Sequence, residues 1–121
     1  MKFALLIRSA PKAGQPNLLA TPLAFAREAL AQGHQVTQIF FQADGVHHAN
    51  RLSSPPPAEG NSVAEWSRFA EESKVELVMC STAGLRRGVR EANLAPGFRI
   101  SGVGQWLEAA AEADRVVVFG N

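Results

Sequence analysis

The chain has 121 residues, 46% of them hydrophobic, with 12 basic side chains against 11 acidic ones and a formal charge of +1. That length carries one core-bearing domain over residues 1–121 and is short for two. The near-neutral balance excludes the basic footprint of a nucleic-acid or membrane-surface binder, and a single cysteine excludes an internal disulfide.

From the N-terminus, Lys2 to Ser9 reads as a strand buried on both faces, an apolar run with little alternation. The apolar stretch before Arg8 is only five residues long, too short for a signal-peptide core or a membrane span, so a cytoplasmic protein is expected. An irregular loop follows at Pro11, Gly14 and Pro16. In TPLAFAREALAQG, Thr21 is the candidate N-cap, Pro22 the first helical residue and Gly33 the stop, with Leu23, Ala26 and Leu30 on one face. His34 to Phe41 reads as the second strand. Gln42 to Asn61 reads as a long surface connection, since Pro55, Pro56 and Pro57 exclude helix or central strand. Asn61 or Ser62 caps a helix to about Ser73, with Val63, Trp66, Phe69 and Ala70 on its apolar face. Val75 to Cys80 is the third strand, and a short helix is expected from about Thr82 to Glu91. After the breaker ANLAPG come a short strand at Phe98 to Ser101, a helix over Val103 to Ala113 and a last strand, Arg115 to Phe119. Alternation of this kind predicts an α/β fold, a mainly parallel sheet covered by helices. Its strand ends and following loops share one edge, where chemistry usually sits.

Cys80 lies on that edge, at the end of the third strand with small residues opening a helix behind it. A thiol there feels the partial positive charge of unpaired backbone N–H groups, to which Arg86 and Arg87 add, and this favours the thiolate. By position alone it reads equally well as a small buried hydrophobe. Arg86 and Arg90 are spaced to share a helical face, and Arg87 has Glu91 at ion-pairing distance along a helix. Asp44-Gly45 is a turn signal on the same edge. The adjacent His47 and His48 lack a third ligand at a useful spacing, so no metal site is expected. Ser101 to Gly104 lacks the full dinucleotide fingerprint, and no phosphate-loop or nucleophile-elbow motif occurs. Trp66 and Trp106 read as core or interface residues.

Together these residues resemble the DsrE family of small sulfur-relay proteins, and within it the TusD branch. The resemblance rests on the FFxxDGVxxANxL pattern (Phe40, Phe41, Asp44, Gly45, Val46, Ala49, Asn50, Leu52), Pro55, Trp66, the Cys80 to Gly88 segment with its RRG, and the closing GFxxSGxGxxxEA and ADRVVxF. It implies the family's three-layer fold with helices on both sheet faces. It also implies a sulfurtransferase without cofactor that carries sulfane sulfur as a persulfide on Cys80. Arg86 and Arg87 would then stabilise the anion, and Asp44 and Gly45 would wall the site. The implied partners are TusB-like and TusC-like subunits in a hetero-oligomer, plus sulfur donor and acceptor proteins, in a relay toward thiolation of wobble uridine in tRNA. A sulfur carrier of dissimilatory sulfur oxidation and a non-catalytic assembly subunit are the alternatives. The chain departs from the pattern at Gln42, where relatives often carry an aromatic residue, and in the shortness of EANLAP.

Overall fold

The computed structural model describes residues 1–12 and 21–120. Its strands are β1 (Lys2–Ile7), β2 (Gln35–Phe41), β3 (Leu77–Cys80), β4 (Phe98–Ser101) and β5 (Arg115–Phe119). They form one sheet in the order β4-β3-β2-β1-β5, with every pairing parallel. The helices are α1 (Pro22–Ala31), α2 (Ser62–Ser73), α3 (Ser81–Arg87) and α4 (Val103–Glu112). Two of the caps follow from the sequence: Thr21 Oγ1 accepts from the Ala24 N–H, and Asn61 Oδ1 accepts from the Ala64 N–H. No helix among the described residues is long and apolar enough to cross a membrane.

Strand order decides which face each helix covers. From β1 to β4 the chain steps always in the same direction, so right-handed crossovers put α1, α2 and α3 on one face. The connection from β4 returns to the far edge, which sends α4 to the other face. Two consecutive residues of β2 record the division: Phe40 stacks on Trp106 of α4, whereas Phe41 meets Trp66 of α2 edge-on. Both phenylalanines are fully buried, which is worth about 1.5–3 kcal/mol each relative to exposure. On the α4 face a polar row ties the layers: Glu76 accepts from Gln38 and Arg99, and Arg99 also donates to Gln105 of α4. β5 is less covered, with Val116 and Val118 exposed.

Four segments depart from the sequence expectation, the first being the opening strand, which ends at Ile7 instead of Ser9. The first half of the supposed surface connection is a 3₁₀ helix, Ala43–Ala49, with Gly45, Val46, His48 and Ala49 buried. The third strand begins at Leu77 instead of Val75, because Lys74 ends α2 in the left-handed region and Ser73 Oγ accepts from the Val75 N–H. The helix after Cys80 ends at Arg87, not Glu91. Gly88 takes a φ of 74°, and the Val89 N–H returns to the Gly84 carbonyl, which closes the helix. Gly14 and Pro16 of the first loop lie outside the described residues.

Candidate functional site

Cys80 is the last residue of β3 and the N-cap residue of α3, with extended backbone. It is the only cysteine, and it is 4% exposed. The side chain is thus buried at the strand end. Clefts of ≈ 960 Å³, beside Ser9, His48 and Ser62, and of ≈ 770 Å³, beside Ala70 and Gly97, both exclude Cys80 from their walls. Cys80 therefore stands apart from both clefts.

The register places Cys80 in a row across the strand ends. Ile7, Phe41, Met79 and Ile100 are aligned in neighbouring strands, and Cys80 pairs with Ser101. One step further along each strand puts Arg8, Gln42, Cys80 and Ser101 side by side. The Gln42 N–H to Ile7 carbonyl bond (2.9 Å) and the Arg8 N–H to Phe119 carbonyl bond (2.8 Å) carry the ladder through that step on the two sides of β1, and the Cys80–Ser101 pairing carries it between β3 and β4. Strand alternation assigns this row to the α4 face, with Leu6, Phe40 and Val78. Sequence patterns alone did not single out Arg8. The sign available was its place immediately after the first apolar run, on the edge where strand ends converge.

The residues expected around Cys80 are arranged differently from their chain spacing. Arg86 and Arg87 occupy the last turn of α3, roughly 9–10 Å along the axis from Cys80 at ~1.5 Å per residue. Arg87 pairs with Asp44, not Glu91: its Nε donates to Asp44 Oδ1 at 2.8 Å, and its Nη1 donates to the Ala83 carbonyl at 3.2 Å. The hydrogen bond and charge of Arg87 hold the Asp44 carboxyl below the usual carboxylate range. Arg86 is exposed. Arg90 lies beyond the helix, so it does not share a helical face with Arg86.

Gly45 has a packing reason to be glycine. A Cβ there would lie 2.1 Å from the Ile7 carbonyl oxygen, so only hydrogen lets the 3₁₀ segment press against the end of β1. Asn50 and Asn93 clasp this segment to the stretch after α3, Asn93 Nδ2 donating to Asn50 Oδ1 at 3.0 Å and also to the Gly88 carbonyl. His47 and His48 diverge in environment. His48 is buried, its Nε2 donating to the Ser9 carbonyl at 3.0 Å, so its Nδ1 accepts from the Ser62 hydroxyl at 2.6 Å. Burial pushes its pKa down to about 4. Trp66 and Trp106 are both core residues.

Comparison with known proteins agrees with this architecture. The chain is 40% identical to the DsrE protein of Allochromatium vinosum over the whole of both chains. It is 38% identical to the sulfurtransferase TusD of Cronobacter sakazakii over 98% of this chain and all of that one. It is also 41% identical to TusD of Sodalis glossinidius over 83% of this chain and 85% of that protein. The crystal structure of the ychN protein from E. coli superposes with a TM-score of 0.79 at 20% identity, covering 98% of this chain and 100% of that one, which shows a shared fold. The DsrE/DsrF-like family model matches residues 1–119, and with full-length relatives at this level of identity the chain belongs to the DsrE/DsrF-like family.

Proposed function

We propose that this sulfurtransferase carries sulfane sulfur as a persulfide on Cys80 and passes it to a partner thiol. The observation that carries the reading is the position of the only thiol, at the turn from β3 into α3 on the edge where the parallel strands end. In loading, the Cys80 thiolate attacks the outer sulfur of a donor persulfide. The donor S–S bond breaks, and its electron pair leaves with the donor's inner sulfur as a thiolate. In unloading, an acceptor thiolate attacks the outer sulfur on Cys80 and Cys80 leaves as thiolate. With no second internal thiol, the persulfide has no route to an intramolecular disulfide. Burial of Cys80 shields the loaded sulfur from stray thiols, and docking of the partner opens the path to it.

In this reading the Asp44–Arg87 pair and Gly45 hold the 3₁₀ segment and α3 together as the wall of the site, and Arg86 and Arg87 add positive potential from the far end of α3. TusB-like and TusC-like subunits complete a cytoplasmic hetero-oligomer. Acceptor proteins, not direct RNA contact, carry the sulfur to the wobble uridine of tRNA. The chain is 40% identical to DsrE of A. vinosum and 38% identical to TusD of C. sakazakii, and a second reading keeps the same chemistry in another pathway, dissimilatory sulfur oxidation. Sulfur delivered to a tRNA-thiolating acceptor but not to a dissimilatory one separates the two.

The test is intact-mass measurement after incubation with a cysteine desulfurase and cysteine. One added sulfur atom on the native chain and none on Cys80→Ser is expected. Undiminished loading of Cys80→Ser removes the proposal, and a thiol that neither loads nor alkylates in the assembled complex assigns the chain a purely structural part.

A further inference from the structure

Arg8 stands two strands from Cys80 in the row that crosses the strand ends, with Gln42 between them. At one interstrand spacing per step the two Cα atoms are roughly 9.5 Å apart, a span that an arginine side chain and a two-sulfur persulfide can close between them. Of the nine arginines, all but Arg8 and Arg87 are exposed, and water meets the hydrogen-bonding needs of an exposed guanidinium. Arg87 has Asp44 and the Ala83 carbonyl. Arg8 is half-buried, and no protein partner among the described residues meets it. Its Nε is sealed from solvent without an acceptor, and its side chain makes no hydrogen bond or ion pair among the described residues. A buried guanidinium donor left open in this way is built for an acceptor that arrives.

We propose that Arg8 is the anion-binding residue of the sulfur site, its guanidinium meeting the negative charge that alternates between the Cys80 persulfide and the departing Cys80 thiolate. This rests on the reading of Cys80 as the sulfur carrier. During unloading two anionic sulfurs approach each other, and the S–S electron pair ends on Cys80 Sγ. A cation in the same row offsets that repulsion and holds the leaving thiolate without donating a proton. Arg86 and Arg87 stand at a similar separation, but Arg86 is exposed and Arg87 is engaged by Asp44 and the Ala83 carbonyl, whereas Arg8 shares the row of the reacting sulfur with Nε open.

The experiment compares alkylation of Cys80 by iodoacetate, an anion, with that by neutral iodoacetamide, in the native chain, Arg8→Gln and Arg8→Lys, with far-UV circular dichroism confirming the fold. The ratio of the two rates cancels differences in access and reads local charge. It is expected to fall about fivefold or more in Arg8→Gln, the order expected for one unit charge at this separation in a half-buried site, and to be largely kept in Arg8→Lys. In parallel, sulfur loaded by the desulfurase should persist for less time on Arg8→Gln. An unchanged ratio and unchanged persulfide lifetime in folded Arg8→Gln overturn the assignment while leaving Cys80 as carrier. Sulfur loading that survives in Cys80→Ser overturns the carrier reading itself, whatever the ratios show.

Discussion

Arg87 Nε lies 2.8 Å from the Asp44 carboxylate although 43 residues separate them in the chain, and this contact joins the end of α3 to the 3₁₀ segment after β2. Both side chains are partly in water, at 27% and 63% exposure, so their attraction is screened and the pair adds little to global stability. Its effect is local. α3 is only seven residues long and buries just Ala83 and Gly84, which makes it one of the less anchored elements beside Cys80. Asp44→Ala should leave the melting temperature nearly unchanged, yet speed amide exchange in 83–88 and alkylation of Cys80 by on the order of two- to fivefold. Unaltered exchange in α3 would show that the pair is not a latch.

Much of this fold was legible because buried parallel strands write themselves as apolar runs and helices announce their caps. Thr21 and Asn61 were recognisable as caps since each hydrogen-bonds the N–H three residues on. The segment ADGVHHA was opaque for a physical reason. Its polar residues suit a surface turn, and His48 is buried only because Ser9 and Ser62, far away in sequence, satisfy both ring nitrogens. The end of α3 was written in Gly88, but the spacing of Arg87 and Glu91 pointed past it. The row joining Arg8 to Cys80 depends on strand order and register, which no periodicity contains.

Gly45 and Gly104 make a matched pair for substitution. Gly45→Ala forces a methyl group onto the Ile7 carbonyl oxygen, a backbone atom that cannot swing aside, and should cost about 1–3 kcal/mol. Gly104, in the first turn of α4, has nothing within 4 Å of an added Cβ, and Gly104→Ala should stabilise by roughly 0.5–1 kcal/mol through helix propensity. Urea midpoints moving in opposite directions are expected. A neutral Gly45→Ala would mean that the 3₁₀ segment yields easily.

Arg86 tests whether position along α3 matters. It is exposed at the far end of the helix, so its field at Cys80 is screened by solvent. Arg86→Ala should change the rate of Cys80 alkylation by less than about twofold at physiological ionic strength. A larger fall that disappears at high salt would give Arg86 a stronger electrostatic part than its exposed position allows.

His48 gives the fold a pH dependence whose sign can be worked out. Burial lowers its pKa from 6.5 to about 4 in the folded chain, while the unfolded chain titrates near the ordinary value. Between those limits the unfolded state binds more protons, so stability rises with pH across the window and is lost as pH falls from about 6.5 toward 4. The two-and-a-half-unit interval corresponds to about 3 kcal/mol, an order-of-magnitude figure for a single buried imidazole. Protonating Nδ1 also removes the acceptor of the Ser62 hydroxyl, which adds a local reason for loosening where the 3₁₀ segment meets α2. Urea unfolding from pH 7 to pH 4.5 should show this decline in the native chain. His48→Gln should lower stability at pH 7 and flatten the curve through the same window. A native profile as flat as that of the variant would place the ring in contact with water.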